Sequence, residues 1–113
     1  MANAFKNKKV DLTTTDATTL YTVPTATTAV IKSILVSDDS GSGDTITITL
    51  TNASSAVFSL FKVKAISANT TSELLTEPLV AEESEVIKVT AATGGRLHVV
   101  MSVLEITPRE VTT

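Results

Sequence analysis

The chain has no cysteine and no tryptophan, one histidine, four glycines and three prolines in 113 residues. Without cysteine there can be no disulfide and no thiolate metal centre, and nothing in the composition reports the redox compartment. Aromatics make up only 4% of the chain. That is too few for the stacking platforms that grip single-stranded nucleic acid, and it argues against an aromatic shelf for carbohydrate. No apolar run approaches the roughly 20 residues of a membrane helix. Met1 to Phe5 opens no apolar stretch of the kind that marks a secretory signal, so the expected site of synthesis is the cytoplasm. Nine basic residues stand against twelve acidic ones, a net charge of −3. A nucleic-acid binder usually carries a basic patch, and Lys6, Lys8 and Lys9 are the only basic cluster. They are expected on a solvated N-terminal arm, residues 1–9.

What the chain does have is threonine, roughly a fifth of its residues, with many valines and isoleucines. Side chains branched at Cβ are stiff at χ1 and fit a pleated strand better than a helix. Strand candidates fall at 8–13, 18–23, 29–37, 45–51, 57–66, 72–80, 86–91 and 96–107, with turn residues between them. Spacing of about ten to twelve residues points to a sandwich or barrel. The cleanest alternation is in 45–51, where Ile46, Ile48 and Leu50 oppose Thr45, Thr47, Thr49 and Thr51. Period two means one buried face and one wet face. Pro24 and Pro108 close their strands, and Pro78 demotes 72–80 to an edge. The expectation is a single-domain, all-β antiparallel sandwich of about eight strands in jelly-roll-like or Greek-key order, spanning 1–113, with a C-terminal tail at 108–113.

Two strands carry more hydrophobicity than one buried face can use. In 29–37, Val30, Ile34 and Val36 are expected on one face, with Ile31 and Leu35 on the other. In 96–107, Leu97, Val99, Met101 and Val103 oppose Val100, Leu104 and Ile106. A strand apolar on both faces must be covered on both. The cover is either the chain's own termini and loops or another subunit, and for the second reading Ile31, Leu35, Val100, Leu104 and Ile106 are the candidates for a subunit interface. Apolar interfaces are characteristic of homo-oligomers. At least one terminal segment is expected to order against a neighbour, with residues 2–9 dispensable for the isolated fold.

Candidate chemistry is sparse. His98 lies mid-strand between Leu97 and Val99 and reads as a structural histidine, since a triad needs a nucleophile and a partnered base. Gly41-Ser42-Gly43 lacks the lysine of a phosphate loop. Asp38, Asp39 and Asp44 supply hard oxygens of the kind calcium takes, but not at EF-hand spacing, so a polar hairpin turn is the better reading. Glu82, Glu83 and Glu85 crowd one acidic turn without the defined separation that glycoside hydrolysis needs. Tyr21, Phe58 and Phe61 are expected in the core. No catalytic set, cofactor, metal, membrane, nucleic acid or small-molecule substrate is expected.

The order of segments adds a resemblance. Leu20-Tyr21-Thr22-Val23-Pro24 precedes Ala29-Val30-Ile31-Lys32-Ser33-Ile34 and a Ser/Gly turn. Later come Glu85-Val86-Ile87-Lys88-Val89-Thr90-Ala91, Gly94-Gly95 and the run from Leu97 to Ile106. This ordered set resembles short β-sandwich structural proteins of tailed phages, including marine and cyanobacterial ones. The resemblance runs from Leu20 to Ile106 and implies a virion subunit on the head, neck or tail, with itself and other virion proteins as partners. It carries over no catalytic residue. A receptor- or carbohydrate-binding module of a tail fibre or baseplate is the alternative. The acidic turn at Glu82 departs from the Gly/Asp turn usual in that group, so contacts of that loop do not transfer.

Overall fold

The computed structural model describes residues 2–107, and no helix occurs among them. Nine strands form two antiparallel sheets: β1 Ala2–Leu12, β2 Thr18–Thr22, β3 Thr28–Asp38, β4 Asp44–Thr51, β5 Val57–Ile66, β6 Thr71–Glu73, β7 Leu79–Ala81, β8 Val86–Ala91 and β9 Leu97–Thr107. The first sheet runs β1-β9-β3-β6, with β7 also paired to β3, and the second runs β2-β8-β4-β5. With β6 and β7 taken as two pieces of one strand, this is jelly-roll order. The count rises from eight to nine because the 72–80 candidate breaks in two. Pro78 cannot donate to a ladder, and β7 begins directly after it.

The core lies between the sheets and follows from alternation. Leu97, Val99, Met101 and Val103 of β9 point inward, as do Ile46 and Ile48 of β4 and Ile87 and Val89 of β8, all fully buried. Gly94 closes the β8–β9 turn, and a Cβ there would stand 2.4 Å from the Thr13 carbonyl oxygen. Gly95 follows at φ +79°, and its N–H donates to the Leu12 carbonyl at 2.8 Å.

Three expectations are corrected. First, Ile31 is not on an outer face. The β3–β9 register shifts between Ile31 and Ser33. One extra residue in a strand exchanges its faces. Ala29 and Ile31 therefore point inward before the bulge, and Ile34 and Val36 after it, all buried. Val30 joins Leu35 outside.

Second, residues 2–9 are not an arm. They are the first part of β1, paired to β9 without a register break from Ala2↔Thr107 to Leu12↔Leu97. Their polar sequence hid this, because main-chain ladders do not need apolar side chains. The 108–113 tail lies outside the described residues.

Third, Phe58 is 53% exposed and Phe61 is only partly buried. β5 is an edge strand of the second sheet, and the matching edge of the first sheet holds only β6 and β7, three residues each. Too little of the opposite layer is there to cover it.

A candidate interaction surface

In an antiparallel sheet, residues directly opposite each other share a face, so outward side chains form rows across the strands. On the outer face of the first sheet one row is wholly apolar. Val80 of β7 pairs with Val30 of β3. Val30 pairs with Leu104 of β9, and Leu104 with Phe5 of β1. Phe5 is 77% exposed and Val80 57%. Two residues along lies a polar row of Ser33, Ser102 and Asn7. Beyond it Glu73, Leu35, Val100 and Lys9 form a third row. Leu35 and Val100 are each 37% exposed. The two end rows are Thr28, Ile106 and Asn3 on one side, and Ser37, His98 and Asp11 on the other.

Four of the five candidate interface residues, Leu35, Val100, Leu104 and Ile106, thus meet on one face, and Ile31 lies in the core. Val30, Phe5 and Val80 complete the patch. Val30 was missed because a bulge has no hydrophobic signature. Phe5 was missed because its strand reads as an arm, and Val80 because Pro78 interrupts the 72–80 candidate and leaves no alternation that assigns Val80 a face. This patch makes the outer face of the first sheet the candidate interaction surface.

Polar groups frame the surface. Glu73 accepts N–H bonds from Ile34 at 2.8 Å and Leu75 at 3.2 Å, and the hydroxyl of Ser33 also donates to it. This carboxylate holds the β3 bulge to β6. His98 Nε2 lies 3.3 Å from Asp11 Oδ1.

On the inner side of β9, where alternation places Glu105 after Val103, the chain buries a carboxylate. Glu105 is 5% exposed. The Tyr21 hydroxyl donates to Oε2 at 2.5 Å, and Lys6 Nζ lies 2.9 Å from Oε1. Burial alone would raise the Glu105 carboxyl. The hydrogen bonds from Tyr21 and Lys6 and the charges of Lys6 and Lys8 outweigh it and hold the group below its ordinary value. Tyr21 is pushed far up, by burial first and then by its bond to Glu105 and that residue's charge. Lys8 Nζ stands 5.9 Å from the centre of the Tyr21 ring. None of this was singled out from sequence, although a glutamate in the apolar register of β9 was the available sign.

The acidic loops are turn organisers. Asp38 accepts from the Ser40 hydroxyl at 2.6 Å and from the amides of Ser40, Gly43 and Asn69 at 3.1, 3.0 and 3.0 Å. The Ser40 hydroxyl leads, burial opposes, and the amides add, so its carboxyl sits well below the usual range. Asp44 Oδ2 accepts from the Thr93 amide at 2.9 Å. These carboxylates bind amides rather than converging on a cation, and among the described residues no three His, Asp or Glu side chains gather to hold a metal. Glu85 Oε1 caps its own turn through the Glu82 amide at 2.7 Å.

A scan against protein-family models finds no family that matches this chain, and a search of curated proteins finds no similar sequence.

Proposed function

We propose that the chain is a non-enzymatic structural subunit of a tailed-phage virion, assembling symmetrically on the head, neck or tail. The observation that carries this reading is the outer face of the first sheet, where Phe5, Leu104, Val30 and Val80 form a continuous apolar row, exposed at Phe5 and Val80 and partly buried at Leu104 and Val30. Such a face suits stable assembly better than catalysis, which needs a concave site with convergent polar groups. The ordered resemblance from Leu20 to Ile106 supplies the virion context. Light scattering of the purified chain at micromolar concentration, with a co-sedimentation assay on phage particles, tests it. Stable homo-oligomers or particle binding are expected, and a monomer that binds no particle would overturn the reading.

A receptor- or carbohydrate-binding role has one observation in its favour. Phe58 is half exposed at the β5 edge, with Phe61 partly buried three residues on. Binding on a glycan array that is lost in Phe58→Ala would favour that role over assembly.

A further inference from the structure

We propose that two copies of the chain pack face to face through the outer surface of the first sheet, about a twofold axis running along the strands between β3 and β9. This rests on the reading that the chain self-associates, and it names the surface and the symmetry. The argument is self-complementarity. A twofold along the strands keeps each row at its own level and reverses its order. The row Phe5, Leu104, Val30, Val80 then meets Val80, Val30, Leu104, Phe5 of the second copy, apolar against apolar along its whole length. The row Lys9, Val100, Leu35, Glu73 meets its own reverse, so each Lys9 faces a Glu73 at the rim and the two apolar residues face each other. The Ser33, Ser102, Asn7 row meets itself, polar on polar. An axis across the strands does worse. It lays Val80 on Glu73 and Phe5 on Lys9, burying charge against apolar surface.

Size and geometry agree. The seventeen outward positions of the five rows, at about 6.8 by 4.8 Å each, cover roughly 550 Å² per copy and about 1,100 Å² in a pair. That clears the roughly 1,000 Å² expected of a specific interface. Stacked sheets pack with their strands within about 30° of each other, which a twofold along the strands permits. The sheet edges are poorer docking sites, and the long edge strand β1 carries the exposed Lys6, Lys8 and Lys9. β5 carries two register shifts and the exposed Lys62 and Lys64. β2 has five residues and a register shift of its own. Bulges, short strands and lysines blunt edge pairing.

The axis predicts a cross-linking pattern. Phe5 of one copy faces Val80 of the other, whereas the two Phe5 side chains lie far apart, on opposite flanks of the axis. The full chain is made as two single-cysteine variants, Phe5→Cys and Val80→Cys, and mildly oxidised alone and mixed. The mixture is expected to form disulfide-linked dimers at least tenfold faster than either variant alone, with Thr49→Cys as the control on the opposite sheet. Leu104→Lys is expected to weaken the dimer at least tenfold while leaving the urea midpoint of the dilute chain in place. Oligomers whose Phe5→Cys and Val80→Cys mixture links no faster than the control would overturn the inference and leave the virion reading standing. A monomer that binds phage particles would do the same. A monomer that binds none would overturn both.

Discussion

The two sheets of the sandwich share a backbone plan and differ in what they show to solvent. Across the second sheet, Thr19, Lys88, Thr49 and Ser59 form one outward row, and Thr47 pairs with Thr90 in the next. Across the first sheet the equivalent row is Phe5, Leu104, Val30 and Val80. Val and Thr have nearly the same shape and the same strand preference, so the difference is not about folding. A hydroxyl keeps its water, while a methyl in its place gains by leaving it, at about 25 cal/mol per Å². The inner faces make the sandwich. The outer faces differ in how much apolar surface gathers in one row, although Val57 and Val63 of β5 are exposed as well.

The comparison depends on which side chains of β3 and β9 point outward, and the largest expected effect tests β3. Ile31→Ala should cost about 3 kcal/mol in urea unfolding, because it opens a cavity in a fully packed core. Leu35→Ala at the same dilution should cost under about 1 kcal/mol, since Leu35 is already 37% exposed. Equal costs would mean that the bulge between Ile31 and Ser33 does not exchange the faces.

The register of β9 comes next. A slip of one residue would turn Glu105 outward and Leu104 inward. With Glu105 inside, its folded carboxyl lies below the ordinary value of 4.5. The stability it supplies is then complete above that value and is lost as pH falls through the lowered folded one. Glu105→Gln should be about 2 kcal/mol less stable than the parent at pH 7, since hydrogen bonds to a charged group are removed. The gap should narrow as the urea midpoint is followed down from pH 4.5. A pH-independent gap, or none, would place Glu105 on the surface.

The smallest effect is expected on the second sheet. Thr49→Val should change stability by no more than about 0.5 kcal/mol and leave the oligomeric state unchanged by light scattering. New oligomers in this variant would show that the wet face partners as readily as the apolar one. Thr47 is unsuitable for this test because its hydroxyl accepts the Val63 N–H at 3.0 Å. That bond supports a valine at φ +53°, where a β-branched residue is strained.

How much was legible from the residues follows from the kind of signal each feature carries. The alternation of Ile46, Ile48 and Leu50 against threonine could be read directly, and so could the inward set of β9, because period two is visible along a chain. Leu35, Val100, Leu104 and Ile106 stood out as surplus hydrophobicity. Ile31 was misplaced because a bulge is a property of two strands in register. Phe5 was passed over because β1 is held by main-chain bonds, which leave no trace in side-chain pattern. Phe58 was expected inside because the shortness of β6 and β7, which leaves it uncovered, shows only once the layers are stacked.

The residues by themselves determined the all-β class, through β-branched composition and period-two alternation, and they marked two strands as apolar on both sides. These are local properties, set by how each side chain fits a pleated backbone. Only the tertiary structure decided which apolar side chains share the outer face, how Phe5 and Val80 join them, and that Glu105 lies buried between Tyr21 and Lys6. Those facts depend on strand order and register, and register is settled by which strands lie side by side.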